Sequence, residues 1–87
     1  MIDLMRAHDV VVGALPSRLG FAAAQAAVRA KRHYVDVSYY VEDATQLHQE
    51  AQAAGVAVMP GCGIAPGLSN LIAGRALATR RPSEIHI

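Results

Sequence analysis

The segment Asp9-Val-Val-Val-Gly-Ala-Leu-Pro16 constrains this chain more than any other. It is a short, β-branched, apolar run with no polar residue alternating into it, and a proline closes it. Such a run predicts a strand buried on both faces, as in a parallel sheet with helices on either side. From Pro16 to about Lys31 the sequence turns alanine-rich, with Leu19, Ala23, Ala26, Ala27 and Ala30 at helical spacing. Arg18, Gln25, Arg29 and Arg32 fall mostly on the other side. This pattern predicts an amphipathic helix whose smooth apolar face can lie flat on a sheet. Lys31-Arg32-His33 adds positive charge at its carboxyl end, where the helix dipole favours it.

The alternation then recurs. His33-Tyr-Val-Asp-Val-Ser38 reads as a second strand, and Glu42 to Gly55 as a second helix, acidic at its start and stopped by glycine. Val56-Ala-Val-Met59 reads as a third strand ended by Pro60. After the loop Gly61-Cys-Gly-Ile-Ala-Pro-Gly67, Pro66 suits the first position of a third helix carrying Leu68, Leu71, Ile72 and Ala76. That helix frays by Arg80-Arg81-Pro82, and Ser83-Glu-Ile-His-Ile87 reads as the start of another strand. Ile2, Leu4 and Met5 read as the last turn of a helix that precedes the first strand. Strands alternating with helices mean the α/β class, here three parallel strands with crossover helices.

Eighty-seven residues and 9.2 kDa allow one small domain. A chain of that length buries roughly 60–65% of its unfolded surface, and seventeen of its apolar residues are alanine, so its core is thin. A net charge of +1, with Lys31-Arg32 and Arg80-Arg81 as isolated basic pairs, argues against nucleic-acid binding. A single cysteine, Cys62, excludes an internal disulfide, and no Cys/His cluster has metal-ligand spacing. Apolar runs far shorter than ~18 residues argue against a membrane span, and the first residues lack the pattern of a signal peptide. A soluble, reducing, cytoplasmic setting is expected. His8, His48 and His86 read as surface residues.

Ligands of parallel α/β sheets bind at the carboxyl ends of the strands. Three loops lie there: Gly13 to Pro16, Asp36 to Tyr39, and Gly61 to Gly67. Glycine permits close backbone approach, and amides at helix starts suit an anionic or carbonyl group. The first loop is either a binding segment or a plain turn. Ser38 and Tyr39 either line a site or cap the next segment. The third loop, with three glycines and two prolines from Pro60 to Gly67, holds more than a turn needs and is read as functional, its glycines serving ligand approach. Asp36, inside a strand, is either paired with a backbone donor or cation or turned toward a ligand. Cys62 lacks a neighbouring histidine and reads as a small residue packed under a ligand, not a nucleophile. No G-x-G-x-x-G and no G-x-x-x-x-G-K-[ST] occurs; Gly61-x-Gly63 has proline where the third glycine would stand. The residues therefore describe the second half of a nucleotide-binding sheet, or an α/β module that looks like one.

The stretches Asp9 to Pro16, His33 to Ser38 and Ala54 to Asn70 together resemble the saccharopine dehydrogenase family, and Pro60-Gly-Cys-Gly-Ile-Ala-Pro-Gly-Leu68 is the most specific part. The resemblance runs from about residue 8 to residue 87 and falls on the second half of the family's Rossmann-like, doubly wound dinucleotide-binding domain. It implies an NAD- or NADP-dependent oxidoreductase acting on an amino acid or amine, with saccharopine reductases and lysine 6-dehydrogenase-like enzymes among its relatives. It implies that Ala14, Leu15 and Pro16 run beside the nicotinamide-side ribose and that Ser38 and Tyr39 line the cofactor and substrate cleft. Cys62, Gly63 and Ile64 would form the wall near the nicotinamide, and Pro66 would start the helix toward a substrate domain. Ala65 stands where saccharopine-type members often carry Asp, which leans toward the lysine 6-dehydrogenase side.

On this reading residues 1–82 form a partial dinucleotide-binding domain without its glycine-rich half, and residues 83–87 begin a substrate domain. The chain is expected to be a fragment, from a truncated reading frame or a deliberate cut, and inactive alone. The alternative is a small non-enzymatic α/β interaction module. Either could self-associate through a bare apolar strand edge at Val10 to Ala14.

Overall fold

A computed structural model of the chain describes residues 1–86. Helix α1 (Ile2–Arg6) leads into strand β1 (Val10–Gly13), helix α2 (Ser17–Arg29) and strand β2 (His33–Asp36). A 3-10 turn at Ala44–Leu47 runs into helix α3 (His48–Ala54), followed by strand β3 (Val58–Met59) and helix α4 (Leu68–Arg80). The three strands are parallel in the order β1-β2-β3, with Val12 opposite Val35 and Val35 opposite Met59. This is the α/β arrangement expected from the alternation of segments. No helix is long and apolar enough to cross a membrane among the described residues.

The alanines of α2 do what their size allows. Ala23, Ala24, Ala26, Ala27 and Ala30 are buried together with Met5, Tyr34, Tyr40 and Leu47 in one core on a single face of the sheet. Small side chains bring the helix axis close to the strands, and the two tyrosines fill the volume the alanines leave. Helix α1 is tied to this layer by Arg32, whose Nη2 donates to the Arg6 carbonyl at 2.9 Å. Helix α3 ends at Gly55, whose φ of 69° is the left-handed cap the sequence predicts. Its start differs: Asp43 accepts from the Thr45 amide and caps the 3-10 turn, so regular α-helix begins only at His48.

Several expectations are corrected. Strand β1 is not buried on both faces: Val11 and Gly13 turn toward the helices, while Val10 and Val12 are exposed, Val12 by 71%. The β1 edge has no strand partner, and none of the described helices covers the Val12 side. Leu19 is likewise exposed, because α2 meets the sheet through its alanines. Strand β2 stops at Asp36, two residues short of Ser38, because the Asp36 carboxylate takes the Ser38 amide and turns the chain. Pro66 precedes α4 rather than opening it; Gly67 is the N-cap. Residues 83–86 form no strand, as a lone segment without a ladder partner cannot; Ile87 lies outside the described residues.

Candidate functional site

The carboxyl end of the sheet is organised around one buried carboxylate. Asp36 has no exposed surface, and its Oδ2 accepts from the hydroxyls of both Tyr34 and Tyr40 at 2.9 Å. Its Oδ1 accepts from the Ser38 amide at 2.7 Å. Burial pushes the Asp36 carboxyl upward, but the donors from Ser38, Tyr34 and Tyr40 outweigh it and hold the group below the usual carboxylate range. The tyrosines move the other way: burial, reinforced by the hydrogen bond to Asp36, raises both phenols well above their ordinary value. Asp36 is therefore a satisfied structural anion, resolving the alternatives in favour of pairing, although the partners are phenols and an amide rather than a cation. The tyrosines were missed in the sequence. Tyr34 lies two residues before Asp36 and so on the same face of the strand, which was the available signal.

Segment 36–38 in turn pins the loops on both sides. The Ser38 hydroxyl donates to the Leu15 carbonyl at 2.6 Å, and the Val37 amide to the Gly13 carbonyl at 3.2 Å, fixing the loop after β1. The Cys62 amide donates to the Asp36 carbonyl at 2.8 Å, fixing the loop after β3. The three loops named from the sequence thus meet at one end of the sheet. Gly13 serves this packing directly: a Cβ there would overlap the Tyr34 hydroxyl and lie 2.8 Å from the Asp36 carboxyl carbon.

The glycines of the third loop have a role other than the expected one. A Cβ on Gly63 would approach the Val37 carbonyl to 3.0 Å, and one on Gly67, at φ 132°, would run into the Gly63 backbone. Gly63 and Gly67 pair with each other, and the Gly63 amide donates to the Pro66 carbonyl at 3.0 Å. The space that glycine provides is filled by the protein's own backbone. Ligand approach is not what these two positions are keeping open.

The side chains named from the sequence divide into two groups. Ser38 is buried and structural, while Ala14, Leu15, Pro16 and Cys62 are exposed, as are Tyr39 (67%) and Ile64 (80%). Gly63 is half-buried. Cys62 is free and exposed, and its thiol lies 3.6 Å and 3.7 Å from the carbonyls of Met59 and Pro60. A groove of about 310 Å³ runs between Ser38, Tyr39 and Tyr40 on one side and Pro60, Gly61 and Pro66 on the other, with Glu42 and Asp43 at its rim. Leu15, Tyr39 and Ile64 present exposed apolar side chains on the three loops.

Comparison with known proteins gives a consistent result. The family model described as the saccharopine dehydrogenase NADP-binding domain matches residues 1–59. Alpha-aminoadipic semialdehyde synthase of Arabidopsis thaliana is 31% identical over 65 residues, which is 75% of this chain and 6% of that protein. Saccharopine dehydrogenase [NADP(+), L-glutamate-forming] of Pyricularia oryzae is 35% identical over 66 residues, 76% of this chain and 15% of that protein. The chain spans only a small part of the length of either relative.

Proposed function

The chain belongs to the saccharopine dehydrogenase family, within its NADP-binding domain, and on that premise we propose that it forms one side of the cofactor site of an amino-acid oxidoreductase. The cofactor is a nicotinamide dinucleotide, NADP by the description of the matched domain, and it supplies or accepts the hydride. Ala14, Leu15 and Pro16 pass beside it, Ser38 and Tyr39 border the cleft shared with substrate, and Cys62, Gly63 and Ile64 stand as the wall near the nicotinamide. The observation that carries this reading is the Ser38 hydroxyl bonded to the Leu15 carbonyl at 2.6 Å, which ties the first two loops at the sheet's carboxyl end. One relative is named for saccharopine, and neither is named for lysine oxidation, so the substrate proposed is a saccharopine-like amino acid despite Ala65. We place the protein in the cytoplasm, where its free, exposed Cys62 would stay reduced.

The same reading holds that the 87-residue chain is inactive alone. Dinucleotide affinity in this fold comes largely from a glycine-rich turn and a helix start around the pyrophosphate. The sequence holds no G-x-G-x-x-G. Titration of the purified chain with NADPH and NADH, followed by nicotinamide fluorescence, is expected to detect no micromolar binding and no turnover with saccharopine. Micromolar affinity or measurable hydride transfer would overturn this part of the proposal.

A further inference from the structure

The exposed Tyr39 stands between two buried anchors. From Val37 to Glu42 the chain is neither helix nor strand, and burial alternates along it, with Ser38 and Tyr40 buried and Tyr39 exposed. The place of Tyr39 therefore follows from its two inward-facing neighbours. Ser38 is one anchor, through its amide on the Asp36 carboxylate and its hydroxyl on the Leu15 carbonyl. Tyr40 is the other, through its hydroxyl on Asp36. Ser38, Tyr39 and Tyr40 together form one wall of the groove that Pro60, Gly61 and Pro66 close on the other side.

Helix α2 provides the seat for both anchors. A Cβ on Gly20, near the start of α2, would lie 2.6 Å and 2.9 Å from atoms of the Tyr40 ring and 3.2 Å from the Ser38 Cβ. Glycine there lets the ring and the serine lie directly against the helix backbone. The Phe21 ring meets the Tyr40 ring edge-on, with centroids 6.2 Å apart. Shape fixes the ring, and the hydrogen bond fixes its tip.

The two phenols on Asp36 are not equivalent. Tyr34 lies in β2, paired with Val11 on one side and Val58 on the other, and its amide donates to the Ala57 carbonyl at 2.9 Å. The sheet keeps that residue in place whatever its hydroxyl does. Tyr40 lies outside any strand, so its hydroxyl is what ties the chain beyond Ser38 to the sheet. Because Tyr34 bonds the same oxygen, loss of the Tyr40 hydroxyl leaves the carboxylate partnered. The segment is then displaced on an intact sheet.

We propose that Tyr40 is a positioning residue: anchored on Asp36 and seated against Gly20, it sets Tyr39 and, through Ser38, the Leu15 carbonyl as one unit. That this unit borders the cleft shared by cofactor and substrate rests on the proposed cofactor site. The coupling itself does not.

The coupling is read by nuclear magnetic resonance of the 87-residue chain without cofactor, comparing the unmodified chain with Tyr40→Phe and Tyr34→Phe. If the phenols only stabilise, both variants respond alike. If Tyr40 positions the loops, Tyr40→Phe shifts the Leu15 carbonyl carbon, a reporter remote in sequence, and Tyr34→Phe leaves it in place. Exchange of the Ser38 amide should also quicken about tenfold more in Tyr40→Phe than in Tyr34→Phe. The Cys62 amide, bonded to the Asp36 backbone carbonyl at the end of β2, should respond equally to both. Gly20→Ala keeps every hydrogen-bonding group but pushes the Tyr40 ring, and should shift both the Leu15 carbonyl carbon and the Tyr39 amide. Equal responses of Leu15 and Ser38 to the two Tyr→Phe variants, or Leu15 and Tyr39 unmoved by Gly20→Ala, would overturn the proposal. Adding NADPH then separates the two readings: coupled loops that bind no NADPH would remove the cofactor assignment and leave Tyr40 as the positioning residue.

Discussion

The Tyr40 hydroxyl donates to Oδ2 of Asp36 at 2.9 Å, from four residues further along the chain, and the Tyr34 hydroxyl shares the same oxygen. Two phenols on one buried carboxylate oxygen, with an amide on the other, replace the cation usually required to keep such a charge in a core. Removing a donor should therefore cost more than an ordinary surface hydrogen bond. Tyr40→Phe keeps the ring and its edge-on packing with Phe21 but deletes the bond. It is expected to lower stability by about 1–3 kcal/mol in urea unfolding, and Tyr34→Phe by a similar amount.

The same cluster sets the pH dependence. Asp36 has a folded pKa below its unfolded value, so its contribution is present above the unfolded pKa and lost as pH falls through the folded one. Tyr34 and Tyr40 have folded values raised above the unfolded phenol, so their contribution is present below about pH 10 and lost as pH rises beyond it. Urea midpoints between pH 2 and 11 should show a plateau with losses at both ends. Asp36→Asn should flatten the acid arm, and the paired Tyr→Phe variant the alkaline arm.

Gly13→Ala and Gly74→Ala make opposite predictions from the same change. At Gly13 the added methyl meets Tyr34 and Asp36, and a cost of about 1–3 kcal/mol is expected from overpacking. At Gly74, inside α4, nothing lies within 4 Å, and replacing glycine in a helix should stabilise by about 0.5–1 kcal/mol. Thermal melts of the two variants check the sign directly.

Gly63→Val is expected to act through folding. Its Cβ would press on the Val37 carbonyl, so the loop from Pro60 to Gly67 should loosen and the melting temperature should fall. Hydrogen exchange at the Cys62 and Leu68 amides should speed up, because their bonds to Asp36 and Gly63 depend on that loop.

The class of fold was legible because Val10 to Gly13, the alanines of α2 and the Gly55 stop each carry a local signal that the tertiary structure obeys. The convergence of three loops was legible for the same reason, since parallel strands bring their carboxyl ends together. What was not legible depended on neighbours. Valine at positions 10 and 12 has the same strand preference whether or not a helix covers it, so the bare face of β1 left no mark in the run itself. Gly63 and Gly67 look alike whether they admit a ligand or their own backbone, and only the packed loop distinguishes the two. Asp36 could be recognised as needing partners but not which ones, because Tyr40 reaches it only after the chain turns at Ser38.

The central claim, that the loops at Ala14 to Pro16, Ser38 to Tyr39 and Cys62 to Ile64 form one side of a dinucleotide site, is tested most directly by amide chemical shifts of the 87-residue chain titrated with NADPH. Weak, millimolar-range binding is expected, with shifts concentrated at Ala14, Leu15, Tyr39, Cys62 and Ile64 and little change in α3. Shifts absent from those loops at the highest NADPH concentration, or gathered instead along α3 and β3, would contradict it.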